Sequence, residues 1–173
     1  MRILVAPDSF GGTLTARQAA DAVARGWGGR DALDLAPMSD GGPGFVEVLS
    51  GYGRLRETVV PGPLGDPVTA RWRLDGTTAY LESAQACGLH LVPRNDPERA
   101  DTRGVGLLLA AALAAGADRI VVGLGGSATT DGGAGLLSAT GSVPAGVEVL
   151  AATDVDNPLL GEHGAAAVYG PQK

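Results

Sequence analysis

The sequence predicts an α/β protein with a mostly parallel sheet flanked by helices. One observation is that short apolar runs typical of buried strands alternate with segments of helical pattern along the 173 residues. Another is that residues 54–60 and 68–82 alternate polar and apolar side chains, which is typical of antiparallel strands. We therefore assign residues 1–53 and 117–173 to an α/β core, and residues 54–116 to a β-rich insert with a following helix. The insert is expected to form a second, small sub-domain.

The first fifty residues predict two strand–loop–helix units. Residues 2–6 are short, apolar and partly β-branched, as in a buried strand. The segment Thr15–Gln18 is a capping-box pattern, which predicts a helix running to about Trp27. A second strand is expected at residues 33–38, and a short helix at residues 45–49.

The remainder predicts the insert, one long helix and further strands. The pair Asp75–Gly76 indicates a tight turn inside the alternating region. Residues 103–115 are rich in alanine and leucine, which predicts a helix that ends at Gly116. Three more strands are expected, at residues 119–123, 147–153 and 165–169.

Composition excludes several classes of protein. Hydrophobic residues make up 45% of the chain and charged residues 18%, as in globular proteins. The net charge is −6 and there is no cluster of basic residues, so neither nucleic acid nor a membrane surface is an expected partner. The one cysteine, Cys87, allows no internal disulfide framework and is expected to be a small core residue. Because we find no signal-peptide pattern and no stretch long enough to span a bilayer, we expect a cytoplasmic protein.

Four predicted strands end in loops that are polar or rich in glycine and carry carboxylates. These carboxylates are Asp8, Asp40, Asp131, and the pair Asp154 and Asp156. Ligands of open α/β sheets bind outside the carboxyl ends of the strands, so parallel strands would bring these loops to one cleft. Backbone N–H groups of glycine loops hold phosphate oxygens, and carboxylates bind Mg²⁺ or accept a proton from an attacking hydroxyl. The loops together therefore favour phosphoryl transfer.

Other interpretations of these loops stay open at the level of sequence. Any one aspartate at a strand end can simply form a turn or cap a helix. Arg103 could bind a phosphate or carboxylate, or could be an exposed arginine at a helix start. The spacing from Gly123 to Ala128 also fits a relaxed dinucleotide-binding fingerprint, with Glu148 as the candidate for its acidic residue.

Several segments carry a resemblance to a known family. In chain order they are APDSFGGTLTA, PMSDGGPG, GPLGDPV, GLGGSATTDGGAG and TDVDNPLLGEHGAAAVYGPQK. Together they resemble the bacterial glycerate kinase family, of the glycerate 2-kinase type. That resemblance implies phosphorylation of D-glycerate by ATP with Mg²⁺. It also implies two α/β domains, one of them Rossmann-like, with the active site between them. In this chain the residues 1–53 and 117–173 would be the Rossmann-like core.

The resemblance also implies roles for individual residues. Asp131, Asp154 and Asp8 would be catalytic, and Asp154 and Asp156 would bind Mg²⁺. A larger set from the same loops would contact substrate or phosphate: Ser9, Asp40, Gly41, Gly42, Arg103, Gly125, Gly126, Ser127 and Asn157.

This chain departs from the family pattern at particular places. Gly11 stands where the family usually has lysine, and Pro43 and Leu107 stand where it usually has glutamate. The family also carries several tens more residues between Gly141 and Val147 and continues well beyond Lys173. The resemblance therefore implies a chain truncated relative to the family.

Three interpretations follow from that truncation. The chain could be part or one subunit of a glycerate kinase. It could be a compact descendant with changed chemistry, such as a lyase or isomerase acting on a small carboxylate. It could also be a non-catalytic module that needs a partner. Truncation predicts exposed apolar surface, and hence a homodimer or a hetero-partner.

Overall fold

The computed structural model describes residues 1–173 and confirms the α/β class. Its strands are β1 (Arg2–Val5), β2 (Ala32–Leu35), β3 (Arg54–Pro61), β4 (Pro67–Asp75), β5 (Thr78–Glu82), β6 (Arg119–Gly123) and β7 (Glu148–Ala152). Its helices are α1 (Ala16–Gly26), α2 (Phe45–Val48), α3 (Ala84–Cys87), α4 (Arg103–Ala114), α5 (Ala134–Thr140) and α6 (Ala165–Tyr169), with 3₁₀ turns at Leu89–Leu91 and Gly170–Gln172. None of these helices combines the length and the apolar character that crossing a membrane would require.

Helix α1 begins where the capping box predicts. The Thr15 hydroxyl accepts a hydrogen bond from the backbone N–H of Gln18 at 3.2 Å, and the Gln18 side chain accepts one from the N–H of Thr15 at 2.9 Å. These two bonds satisfy N–H groups that a helix start leaves without partners. The signal is local in sequence, so both the start and the end of this helix agree with the prediction.

The strands form two separate sheets. β1 and β2 make a two-stranded parallel sheet, and the other five strands pair in the order β3-β4-β5-β6-β7. The pairs β3–β4 and β4–β5 are antiparallel, whereas β5–β6 and β6–β7 are parallel. The turn predicted at Asp75–Gly76 joins β4 to β5, with Gly76 at φ +57°.

This pairing differs from the predicted division of the chain. β6 and β7 do not pair with β1 and β2 but continue the sheet that begins in the insert. β5 is bonded to β4 on one edge and presents its other edge to β6, in register from Thr78 opposite Arg119. Helix α4 then forms the crossover that two parallel strands need.

The main core lies between the five-stranded sheet and helices α3 and α4. It contains fourteen buried residues, among which Leu81, Leu108 and Ile120 have no exposed surface. Trp72 and Cys87 belong to it, so the prediction of Cys87 as a small core residue is confirmed. The Trp72 indole N–H donates to the Thr58 hydroxyl at 3.0 Å, which satisfies its one polar group.

The strand predicted at residues 165–169 is wrong, because this segment forms helix α6. Its alanines have the highest helix propensity of any residue. The Ala165 N–H donates to the Pro158 carbonyl at 2.8 Å, which fixes the start of the helix against the preceding loop. An apolar run this short does not distinguish a strand from a helix by its pattern.

Candidate functional site

A cleft of about 910 Å³ opens at the carboxyl ends of β6 and β7. It is bounded by the loop after β2, the glycine-rich loop after β6 and the loop after β7. Eight of the residues predicted for the site line it: Asp40, Gly42, Gly125, Gly126, Ser127, Asp131, Asp154 and Asn157. The structure thus brings together three of the four carboxylate loops.

Glycines allow two of these loops to pack backbone against backbone. A Cβ on Gly125 would lie 2.7 Å from the Cα of Gly42, and a Cβ on Gly123 would lie 2.9 Å from the ring of Phe45. Gly41 has φ +96° and is buried against the Ala152 carbonyl at the end of β7. Gly41 therefore packs against the loops that bound the cleft and is not among its lining residues.

Asp131 is the most fully bonded of the cleft carboxylates. One oxygen accepts from the Thr102 N–H at 2.9 Å, the Thr102 hydroxyl at 2.8 Å and the Gly135 N–H at 3.0 Å. The other oxygen accepts from the Gly133 N–H at 3.2 Å. Burial opposes ionisation, but these hydrogen bonds outweigh it and hold the pKa of Asp131 below its ordinary value. Asp131 thereby joins the start of α4 to the start of α5.

Asp8 and Ser9 lie in a neighbouring cleft of about 730 Å³, between the loop after β1, the start of α1 and residues 43–51. The two clefts share Pro43. The Asp8 carboxylate accepts from the N–H of Asp40 at 3.1 Å and from the N–H of Ser9. Asp8 therefore connects the loops after β1 and β2, and the predicted residues are spread over two adjoining clefts.

Besides Gly41, two predicted residues line neither cleft, Arg103 and Asp156. The Arg103 side chain is 62% exposed and lies 3.7 Å from the Asp101 carboxylate. Asp156 is exposed at the end of the loop after β7. Asn157 does line the larger cleft, but its side chain donates to the His163 carbonyl at 2.9 Å and accepts from the Tyr169 hydroxyl at 2.8 Å, which ties the loop to α6.

The donor set does not form a metal cage made of protein side chains alone. No three histidine, cysteine, aspartate or glutamate side chains come close enough together to hold a metal ion. Mg²⁺ in phosphoryl-transfer sites is commonly held by one or two carboxylates together with substrate phosphates. Asp40 and Asp154 are exposed carboxylates that line the cleft, and they fit that second arrangement.

The sequence reasoning missed Lys173, whose side chain reaches the glycine loop. Its ammonium donates to the Ser127 carbonyl at 2.7 Å, the Ser127 hydroxyl at 2.7 Å and the Thr129 carbonyl at 3.0 Å. Burial lowers the pKa of Lys173 from its ordinary value. A signal was present, because Lys173 is the single lysine among thirteen basic residues and ends the family-like segment.

The dinucleotide alternative has no support from the position of Glu148. This residue lies at the first position of β7, opposite Arg119, and accepts from the Arg119 guanidinium at 2.6 Å. The glycine loop follows the other end of the parallel strands. The acidic residue that would bind a ribose is therefore at the wrong edge of the sheet.

Comparisons with known proteins agree with the motifs. The model of the glycerate kinase family matches residues 3–145 and 142–173. A glycerate kinase of Bacillus subtilis is 44% identical, and a protein of Mycobacterium tuberculosis without an assigned function is 53% identical. The crystal structure of a protein assigned as glycerate kinase 2 from Salmonella typhimurium LT2 matches 99% of the chain with a TM-score of 0.77 and 36% identity.

The matches also show how much of each relative this chain covers. The chain spans 50% of the M. tuberculosis protein and 56% of the B. subtilis and S. typhimurium proteins, while itself being covered almost completely. The two segments matched by the family model meet at residues 142–145, inside the stretch where the resemblance implies missing residues. Since the family model covers nearly every residue, the chain belongs to the glycerate kinase family.

Proposed function

We propose that this chain carries a phosphoryl-transfer site, in which ATP and Mg²⁺ phosphorylate a hydroxyl of D-glycerate or a related small hydroxy acid. The observation that carries the proposal is the larger cleft, where a glycine-rich loop faces two exposed carboxylates. Phosphoryl transfer needs both features. Hydrogen-bond donors neutralise the negative charge of the transferred group, and a carboxylate binds the metal or accepts the proton of the attacking hydroxyl.

The glycine loop offers unused hydrogen-bond donors. The backbone N–H groups of Gly125, Gly126 and Ser127 donate to no acceptor within the protein, whereas the neighbouring N–H groups of Leu124 and Ala128 do. All three residues with unused donors line the cleft. Backbone N–H groups without protein partners suit anionic oxygens of a ligand.

The carboxylates differ in how many hydrogen bonds they accept from the protein. Asp131 and Asp8 accept hydrogen bonds from several backbone N–H groups, which suits a role in shaping the loops. The Asp154 carboxylate has no hydrogen-bond or ion-pair partner in the protein, and it lines the cleft. We therefore assign to Asp154 the role of Mg²⁺ ligand or proton acceptor. If Mg²⁺ binds, Asp154 and Asp40 would hold it together with phosphate oxygens, and it would neutralise charge on the transferred group.

The direct test is to measure phosphoglycerate formed from D-glycerate and MgATP by the purified chain. Replacing Asp154 with asparagine should lower the rate by roughly 10²-fold or more, as loss of a positioned acid–base group does. The matched control is Asp66→Asn, an exposed aspartate outside both clefts. Full rates in both Asp131→Asn and Asp154→Asn would rule out the assignment.

A second candidate is a subunit that acts only with a partner. It is favoured by the coverage of about half of each relative. It is also favoured by exposed apolar side chains at the outer edge of the sheet and beyond it, including Leu150 at 39%, Leu159 at 63% and Leu160 at 77%. The partner would be a second copy or another chain. If light scattering showed a monomer at all concentrations, this would count against a second copy as the partner.

Thermal unfolding with each ligand separates the candidates. A ligand that binds only the folded chain stabilises it by RT ln(1+[L]/Kd). Stabilisation by both MgATP and D-glycerate is expected for a kinase. Stabilisation by small acids alone would indicate a lyase or isomerase, and no response to either would indicate a chain that depends on a partner.

A further inference from the structure

The Lys173 ammonium is fully engaged by the glycine loop. An ammonium has three N–H donors and no acceptor, and its contacts to Ser127 (carbonyl and hydroxyl, both 2.7 Å) and Thr129 (carbonyl, 3.0 Å) account for all three. In this arrangement Lys173 has no donor left for a ligand. Any effect it has on a bound molecule must therefore act through the loop that it holds.

Other hydrogen bonds also hold the glycine loop in place. The Asn95 side-chain amide donates to the Ala128 carbonyl at 2.8 Å and to the Lys173 carbonyl at 3.2 Å. The Ala128 N–H donates to the carbonyl of buried Cys87 at 2.7 Å. On the other side of Ser127, the Gly126 carbonyl accepts from the Leu89 N–H at 2.8 Å, so the backbone is held at both neighbours of Ser127.

The Ser127 hydroxyl has a free hydrogen. A serine hydroxyl carries one O–H donor and two acceptor lone pairs. The ammonium of Lys173 occupies a lone pair, and the Ser127 O–H donates to no acceptor within the protein. Because an ammonium cannot accept, the serine is left to act as a donor toward the cleft. The positive charge of the Lys173 ammonium, which donates to the Ser127 oxygen, also makes the Ser127 O–H a stronger hydrogen-bond donor.

Charge points to an anion at this end of the cleft. Lys173 is the only basic residue among those that line it, and it forms no ion pair with any carboxylate of the chain. The carboxylates of Asp40 and Asp154 are contributed by the other two loops, and Asp131 of the same loop already accepts four hydrogen bonds from the protein. The unused N–H groups of Gly125 and Gly126 precede Ser127 directly.

We propose that Ser127, positioned by Lys173, forms with the N–H groups of Gly125 and Gly126 a subsite for an anionic oxygen group, either a carboxylate or a phosphate. Ser127 would contact the anion, and Lys173 is a positioning residue. The presence of an anion subsite does not depend on the proposed function, but its assignment to the carboxylate of a hydroxy acid or the phosphate of a nucleotide rests on it.

The single lysine makes a specific experiment possible. Labelling the chain with lysine carrying ¹³C at Cε gives one NMR signal, which belongs to Lys173. The signal is followed while D-glycerate or inorganic phosphate is added, with sodium chloride at matched ionic strength as the control. The expected result is a saturable shift with one or both anions and none with chloride. A shift with D-glycerate alone would identify a carboxylate subsite, and one with phosphate alone a phosphoryl subsite.

Two variants decide whether the serine makes the contact. In Ser127→Ala the affinity for the anion should fall about ten-fold or more, since hydrogen bonds to charged groups are the strong ones. Lys173→Met removes the NMR signal, so anion binding to this variant is measured by calorimetry. A comparable loss of affinity is expected, and the unfolding midpoint checks that the variant is folded. A signal that neither anion moves, or unchanged affinity in Ser127→Ala, would overturn the subsite.

The outcomes also separate this inference from the proposed function. A chain whose Lys173 signal responds to anions but which forms no phosphoglycerate has the subsite without the activity. A chain that forms phosphoglycerate while Lys173 stays silent has the activity without the subsite.

Discussion

At the scale of single residues, Asp131 and Asp154 show how two carboxylates of one cleft acquire different chemistry. Asp131 accepts four hydrogen bonds from Thr102, Gly133 and Gly135, and its pKa is lowered. A carboxylate of this kind stays ionised and is a weak base. Asp154 accepts none and is exposed, which is the basis for proposing it as the Mg²⁺ ligand or proton acceptor. The difference arises from hydrogen bonding, because both follow a strand of the same sheet.

We expect Asp131→Asn to destabilise the fold by about 1–3 kcal/mol near neutral pH, since it removes charge-assisted bonds and turns one acceptor into a donor facing N–H groups. The folded pKa is below the ordinary 3.8, so the stabilisation is present above that value and is lost as pH falls through the folded pKa. Urea unfolding should therefore show a gap between wild type and variant that narrows in acid. A gap independent of pH, or a similar gap in exposed Asp156→Asn, would contradict this role.

Cys87 gives a second prediction at this scale. Burial raises the pKa of its thiol from 9.0 to about 12. The thiolate is the reactive form, so alkylation by iodoacetamide at mildly alkaline pH should be slow in the folded chain and fast in denaturant. Because the unfolded thiol ionises near 9.0, stability should also fall as pH rises above that value. Mass spectrometry measures the adduct, and rapid labelling of the folded chain would show that the core is open.

At the scale of elements, two glycines in helices should respond oppositely to alanine. A Cβ on Gly106 in α4 would clash with the Leu136 carbonyl and lie 2.9 Å from the Ala139 Cβ in α5. Gly26 at the end of α1 has nothing within 4 Å of the same position. Helix propensity alone favours alanine by up to about 1 kcal/mol at either position. We expect Gly26→Ala to be neutral or stabilising and Gly106→Ala to be destabilising.

The two variants should be compared by their unfolding midpoints in urea. If Gly106→Ala were as stable as wild type, α4 and α5 would not pack as closely as described. If Gly26→Ala were the more damaging variant, the C-terminal end of α1 would have contacts that the structure does not show.

The elements that could be predicted are those with local signals. The capping box from Thr15 to Gln18 spans four residues, and the turn at Asp75–Gly76 spans two, so both are visible in sequence. The bonds from Thr102 to Asp131 join residues 29 apart, and those from Lys173 to Ser127 join residues 46 apart. No periodicity signals such contacts. The placement of β6 beside β5 is equally non-local, which is why the sheet differs from the division predicted.

At the scale of the whole molecule, stability is expected to be uneven. The fourteen-residue core is built from β3 to β6, α3, α4 and Ala117, and it includes no residue of β1, β2 or α1. The two-stranded sheet leaves both outer edges unpaired, and Leu4 within it is 67% exposed. Parallel sheets are ordinarily covered on both faces. The first thirty-five residues therefore have less burial to hold them than the central sheet.

This imbalance predicts the pattern of amide hydrogen exchange in the intact chain. Amides of β1 and β2 should exchange through local opening at a low free-energy cost, whereas those of β5 and β6 should approach the global limit. Mass spectrometry of peptides from the two regions measures the difference at several protein concentrations. Protection of β1 and β2 that rises with concentration would mean that a second copy covers the exposed sheet. Protection equal to that of β6 at every concentration would contradict the prediction, because an intramolecular cover would then have to exist where the structure leaves these strands open.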